Sequence, residues 1–338
     1  MLKVIIAYKN FAAHKLISHI GLGVSAMNTA KVLRRHGIDA HVWPVVHAQD
    51  LAAKLAEQPA SHMVMSAPWI PTAEYQRLAT LFPGTQFAVN CHSNVGFLQA
   101  DTNGVRLVRD AMELELGVSN FHLAGNSHRF CKWVRSAYAS PCTYLPNLYF
   151  LENTSAHQQP LFSDGTLRIG AFGATRPLKN FMSAAGAALD ISRTLKVNLD
   201  LWISSGRIEG GDRYARPLHA MLDGVPGVRI VENGWESWPK FRRTVGHMHL
   251  LIQPSYTESF NMVTADGVAE GVPSVVSEAI DWAPAHWKAM ADDVLDIARV
   301  GRHLLTDLHA SRDGFEALTH HNHNGLKAWC EFLRLLDD

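Results

Sequence analysis

Glu258 and Asp266 stand eight positions apart in the stretch Pro254 to Ser277, PSYTESFNMVTADGVAEGVPSVVS. Eight residues are a little over two helical turns, so the spacing predicts two carboxylates on roughly one face. The small residues between them read as a helix start, whose free N–H groups can receive a phosphate. Ser259, Phe260, Asn261, Met262 and Val263 form that segment, and a Gly271-Val272-Pro273 turn leads on to a buried strand over Ser274 to Ser277. Carboxylates that accept from vicinal hydroxyls, beside amides that receive a diphosphate, suit a nucleotide sugar. The bland reading is a solvated helix start whose acidic residues match its dipole.

Arg176 and Lys179, in GAFGATRPLKN, follow an apolar strand and precede a helix. The helix dipole disfavours cations at that end, which points to an anionic partner such as a diphosphate. Gly21 and Gly23 lie between a first strand and a helix. They read either as a close approach of backbone to an anion or as an ordinary tight turn. His92 follows the run QFAVNC and is either a hydrogen-bonding group at a site or a satisfied structural histidine. Ser127 reads as an N-cap and Asn147 as a turn residue. Asn233, Gly234 and Trp235 follow the strand VRIV, and packing is the favoured role for Trp235. His320, His321 and His323 have the composition of a metal site without carboxylate or thiol partners at ligand spacing, and read as a polar loop before the last helix. Asp292-Asp293 lies in a helix-like run and reads as solvated, so no metal ligands are expected.

The elements that must position these residues come in two series. In the first, strands are expected over Leu2–Ala7, Ala40–Val45, His62–Ser66, Gln86–Cys91, Phe121–Ala124 and Thr143–Leu145, with helices over Ala26–His36, Val105–Leu116 and Ser127–Tyr138. The polar, turn-rich residues 151–165 read as a linker. The second series has strands over Leu167–Phe172, Asn198–Ile203, Val228–Val231, His249–Gln253 and Ser274–Val276, and helices over Asn180–Ile191 and Trp238–Val245. The pattern predicts an α/β protein of two doubly wound domains, 1–150 and 166–325, with ligands beyond the carboxyl ends of the strands. An amphipathic tail, 326–338, reads as a last helix.

The chain has 338 residues, enough for two such cores. Lys+Arg and Asp+Glu are both 31, so bulk charge demands neither nucleic acid nor an anionic membrane. Cys91, Cys131, Cys142 and Cys330 lack a Cys-x2-Cys spacing and read as reduced thiols. No signal peptide or membrane span is legible, so a cytoplasmic location is expected.

The block 258–277 resembles the signature of the retaining GT-B glycosyltransferases, Glu-Ser/Gly-Phe-Gly-x4-Glu-Ala-x-Ala-x-Gly-x-Pro-Val-Val. Asp266 stands for the second Glu and Asn261 for the Gly. Gly21 and Gly23, His92, Ser127, Pro146-Asn147 and Arg176/Lys179 follow the family's order. The resemblance implies two facing Rossmann-like domains with a cleft, the last helix crossing back to the first. It implies a nucleotide-diphosphate sugar as donor and no cofactor. Glu258 would contact the donor sugar, the backbone near Asn261 and Met262 sugar and phosphate, and Asp266 the ribose hydroxyls. Arg176 and Lys179 would offset the charge of the leaving diphosphate, and His92 would sit near the reacting sugar. The Gly21/Gly23 loop would face the phosphates, and Asn233-Gly234 would pass the base. Transfer would retain anomeric configuration without a metal, the leaving phosphate oxygen taking the acceptor proton. The acceptor is open: a glycan, a small molecule or a modified nucleic acid. A cationic set on the first domain (Arg34, Arg35, Arg106, Arg109, Arg129, Lys132, Arg135) keeps modified DNA bases in view. The same fold would also suit a non-catalytic nucleotide-sugar-binding protein or an epimerase.

Overall fold

The computed structural model describes residues 2–10, 19–152, 164–205, 215–234 and 236–335. Most of the expected linker, and Trp235, lie outside the described residues. Two compact units divide the chain: Met1–Phe150 with His321–Asp338, and Leu151–His320.

Unit 1 holds strands β1 (Lys3–Lys9), β2 (Asp39–Val45), β3 (His62–Ser66), β4 (Gln86–Cys91), β5 (Phe121–Gly125) and β6 (Thr143–Tyr144). They form one parallel sheet in the order β2-β1-β3-β4-β5-β6. Its helices are α1 (His19–Arg35), α2 (Ala48–Glu57), α3 (Thr72–Leu81), α4 (Val95–Leu98), α5 (Thr102–Gly117) and α6 (His128–Tyr138). Both faces of the sheet are covered, which is why its strands read as unbroken apolar runs. Ile5, Ala7, Met63 and Val89 pack with α2, α3, α5 and α6 through Leu51, Leu78, Val108 and Phe130. Val4, Ile6, Val64 and Ala88 pack on the other face with Ala30 and Leu33 of α1.

Unit 2 holds β7 (Thr166–Ala171), β8 (Asn198–Ser204), β9 (Val228–Asn233), β10 (Leu250–Gln253) and β11 (Ser274–Val276). They are parallel in the order β11-β10-β7-β8-β9. The chain steps outward from β7 to β8 and β9, then returns to the other side of β7 for β10. The gap between β7 and β10 is therefore the switch point of this sheet, where crevices form at strand carboxyl ends. Helices α7 (Phe181–Leu195), α8 (Ala215–Leu222), α9 (Trp238–Gly246), α10 (Met262–Ala269), α11 (Val294–Thr306) and α12 (Ala310–Phe332) complete the fold. The last of these starts in unit 2, and from His321 on it belongs to unit 1. There Trp329 and Leu333 join the core around α1.

Several local expectations change. Gly21 and Gly23 are not in a loop: α1 begins at His19 and contains both. A side chain at Gly23 would come within 3.2 Å of the Tyr8 ring, so the glycine lets α1 lie close to β1. His320, His321 and His323 are likewise inside α12 rather than in a loop. His321 bonds the Asn147 carbonyl at 2.9 Å, and Asn322 donates to the Tyr149 carbonyl at 2.7 Å. These partners, 174 and 173 residues away, satisfy groups that look like loop residues locally. Asp293 is the N-cap of α11, accepting from the N–H groups of Leu295 and Asp296 at 3.0 Å each.

Candidate functional site

The site grows from two loops that leave the neighbouring strands β7 and β10. After β7 the backbone turns at Gly173, whose φ of +122 favours glycine. The Gly173 N–H donates to Ser204 Oγ at 3.1 Å, and a side chain at this position would meet Lys179 Cε at 3.4 Å. A 3-10 turn over Pro177–Lys179 follows and ends at Asn180 in the left-handed region, φ 57. The Asn180 side chain donates to the carbonyls of Pro254, at 3.3 Å, and Ala291. In return the Tyr256 N–H donates to the Leu178 carbonyl at 2.9 Å. These bonds hold the loop after β10 against the turn that carries Lys179.

The result is an ion pair between residues 79 positions apart. Lys179 Nζ donates to Glu258 Oε1, and the two side chains are only 13% and 12% exposed. The same oxygen accepts from Ser255 Oγ at 2.9 Å and from Asn261 Nδ2 at 3.1 Å. Arg176, at the N-terminal edge of the turn, is half-buried. Burial pushes its guanidinium pKa down, and the nearby Glu258 charge works against that. Two cations and one carboxylate thus share a partly desolvated corner.

Helix α10 begins at Met262, four residues after Glu258. Glu258 is therefore in the loop, and the expectation that both carboxylates share one helix face does not hold. The cause is Asn261, the α10 N-cap, in the left-handed region at φ 66. Its Oδ1 accepts from the Thr264 N–H at 2.9 Å while its Nδ2 donates to Glu258. Asn tolerates this conformation better than most residues with a side chain. Asp266 lies inside α10 and is 2% exposed. Its Oδ1 accepts from the Trp238 indole at 2.9 Å. Phe260 is 2% exposed and stacked on Trp282, whose indole donates to the Phe260 carbonyl at 2.6 Å. Phe260 and Val263 are core side chains, Ser259 and Met262 are half-buried, and α10 presents the remaining N–H groups of its first turn.

Asn233 ends β9, 8% exposed, and its carbonyl accepts from the Ser205 N–H at 2.9 Å. Among the described residues, no atom outside its chain neighbours lies within 4 Å of where a Gly234 side chain would begin. Beside these strand ends is a cavity of 540 Å³ lined by Thr175, Ser204, Phe181, Arg216, His219 and Glu232, among others. His219 bonds Glu232 at 2.9 Å, and the carboxylates of Glu232 and Asp223 raise its pKa. Nothing in the local sequence marks this cavity, because its walls come from four separate segments.

Unit 1 carries the other expected residues. Gly21 and Gly23 lie in the first turns of α1, after β1. His92 follows β4, and burial lowers its pKa to about 4, so the ring is neutral at neutral pH. Ser127 caps α6, its hydroxyl accepting from the Phe130 N–H at 3.2 Å and donating to Asn94. The cationic set does not form one stripe. Arg34 and Arg35 sit on α1 and the other five on α5 and α6, which cover opposite faces of the sheet. Arg34 and Arg135 bond the carbonyls of Ala40 and Cys142.

Sequence reasoning missed Ser255, Asn180 and Trp238. Ser255 carries no local signal beyond its Pro-Ser pair, and the other two act over separations of 74 and 28 residues.

Among the described residues, no helix is long and apolar enough to cross a membrane. No family model and no curated protein matches the chain. Solved structures do. Sucrose-phosphate synthase from Thermosynechococcus elongatus aligns over 98% of this chain and 99% of its own, at 13% identity and a TM-score of 0.65. HepE from Anabaena, solved with UDP-glucose, aligns over 97% and 99%, at 13% identity and a TM-score of 0.64. A TarM variant from S. aureus, solved with fondaparinux, alpha-GlcNAc-glycerol and UDP, aligns over 85% of this chain at 12% identity and a TM-score of 0.59. The chain spans 58% of that TarM. At such identities the likeness is one of fold: two parallel α/β sheets with flanking helices, as in the GT-B glycosyltransferases.

Proposed function

We propose that this protein is a retaining, metal-independent glycosyltransferase whose donor is a nucleotide-diphosphate sugar bound by unit 2. The observation that carries the reading is the corner at the β7/β10 switch point, where Lys179, Arg176, Glu258 and the start of α10 come together. Cations and helix amides in a partly desolvated site are suited to hold a diphosphate and to offset the charge it develops on leaving. The donor would draw Lys179 away from Glu258, freeing that carboxylate for a sugar hydroxyl. Acceptor attack would come from the face the diphosphate leaves, with the phosphate oxygen taking the acceptor proton. No protein base is then required. Neutral His92 would donate a hydrogen bond to the sugar or the acceptor. Asp266 reads the ribose in this scheme through whatever acceptor capacity Trp238 leaves it. Asn233-Gly234 would line the base. The splitting of the cationic set over two faces lowers the case for a duplex DNA acceptor. We place the reaction in the cytoplasm, in keeping with its cysteines, all unbridged.

The test is a thermal-shift panel of UDP, GDP, ADP, CDP and dTDP, with and without Mg2+, on the parent protein and on Arg176→Ala/Lys179→Ala. One nucleotide should raise the Tm without Mg2+, and the double variant, folded by circular dichroism, should lose that rise. No shift from any nucleotide on the folded parent would sink the donor-site assignment. Binding without transfer to any acceptor would favour a non-catalytic, nucleotide-sugar-binding role.

A further inference from the structure

A second group of side chains in unit 2 has the composition and spacing of a metal centre. His286 leaves the 3-10 turn Ala285–Trp287, His303 is in the last turn of α11, Asp307 is the α11 C-cap and Asp313 is in the first turn of α12. Ligand atoms of His286, Asp307 and Asp313 all lie within 4.8 Å of one another. His286 Nε2 is 3.4 Å from Asp313 Oδ2 and 4.0 Å from Asp307 Oδ2, and His303 Nε2 is 4.0 Å from that same Asp307 oxygen.

Three features set this group apart from a patch of surface ion pairs. First, the spacings are long for direct hydrogen bonds, which cluster near about 2.9 Å. The shortest, 3.4 Å, matches the edge of a tetrahedral centre, about 3.3 Å when each ligand is about 2.0–2.1 Å from the ion, and the longer ones would close on binding. Second, the Asp307 carboxylate is oriented by its other oxygen. Asp307 Oδ1 accepts from the His309 N–H at 2.9 Å, and Asp313 Oδ1 faces Arg312 Nε at 3.8 Å. The Oδ2 of Asp307 is thereby left towards His286, as outer partners orient the ligands of metal sites. Third, the turn that carries His286 is anchored. Trp287 is fully buried, and a side chain at Gly314 would come within 2.4 Å of its ring.

We propose that His286, Asp307 and Asp313 bind one divalent ion of the zinc class, with water completing its coordination and His303 standing beside Asp307 outside the ligand set. One imidazole and two carboxylates with an open position are a set that suits zinc better than magnesium, which prefers oxygen and water. The ion would clamp the α11–α12 corner to the turn after β11. Its role is structural, and it is separate from the donor corner and its chemistry.

The test is calorimetric titration of the full chain with Zn2+ after EDTA treatment and its removal, with Co2+ titration followed by visible absorption. One equivalent should bind, the Co2+ spectrum should show four-coordinate bands, and Zn2+ should raise the Tm. His286→Ala/Asp313→Asn should lose all three, while its metal-free Tm and circular dichroism stay near those of the parent. Should that variant prove unstable, Asp307→Asn alone should weaken Zn2+ affinity at least tenfold. His320→Ala/His323→Ala, on the outer part of α12, should keep the site. Absence of binding by the parent would overturn the proposal. So would full-affinity binding by the ligand variants, or loss confined to the His320/His323 variant.

Discussion

Breaking the Lys179–Glu258 pair has a cost that can be worked from its surroundings. Both side chains are nearly buried, so each charge has given up most of its hydration. Removing one partner of a buried pair costs about 3–5 kcal/mol when nothing else compensates. Here compensation differs on the two sides. In Lys179→Met, Glu258 keeps Ser255 and Asn261 as donors and Arg176 as a neighbouring cation, so the loss should fall at about 2 kcal/mol, below that range. In Glu258→Gln the cations Lys179 and Arg176 face each other without their carboxylate, and the loss should reach about 3 kcal/mol. The double variant removes both the pair and the stranded charge. It should be less destabilised than the sum of the singles by about 1–3 kcal/mol. Urea unfolding at neutral pH, followed by circular dichroism, gives the four free energies. Additivity within about 0.5 kcal/mol would refute the claim that the two charges are coupled in a desolvated corner. The order of the single variants is a second check: a costlier Lys179→Met would mean that Ser255, Asn261 and Arg176 do not support the carboxylate as described.

Trp238→Phe keeps an aromatic ring but removes the indole donor to buried Asp266, and should destabilise the fold by about 1–3 kcal/mol in the same unfolding experiment. His62 supplies a pH dependence. Burial, then the charge of Arg334, lowers its pKa to about 4, so below about 6.5 the unfolded chain binds the proton and the folded chain does not. Its stabilising contribution is present above about 6.5 and is lost as pH falls towards 4, at up to about 1.4 kcal/mol per pH unit. Unfolding free energies across that window should fall less steeply in His62→Gln, and an unchanged slope would count against the buried, neutral ring.

Much of the secondary structure is legible locally. The runs His62–Ser66 and Gln86–Cys91 are strands with those bounds, because an apolar stretch between turn signals has few other uses. The errors have physical causes. Gly21 and Gly23 resemble a turn, since glycine weakens a helix by about 1 kcal/mol, but close packing of α1 on β1 overrides that propensity. His320 to His323 resemble a loop because the backbone groups of Asn147 and Tyr149 that two of its side chains bind are distant in sequence. Helices α2 and α3 lack strong start signals: α2 is capped by His47, and α3 starts after Pro71 with no side-chain cap. In the candidate site, the block around Glu258 and the cations after β7 stand out by residue type. Their partners Ser255, Asn180 and Trp238 do not.

Local composition is enough to show which segments are apolar on both faces, hence an α/β protein with two parallel sheets, and which polar residues cluster near strand ends. It also marked Arg176, Lys179 and Glu258 as residues in need of partners. That Lys179 and Glu258 are each other's partner emerges from the folded chain alone. Their meeting depends on β10 returning to lie beside β7, and strand order is set by the burial of whole sheet faces rather than by any local pattern. The same holds for Asp266 and for the cluster around His286, whose neighbours are supplied by elements that sequence spacing does not connect.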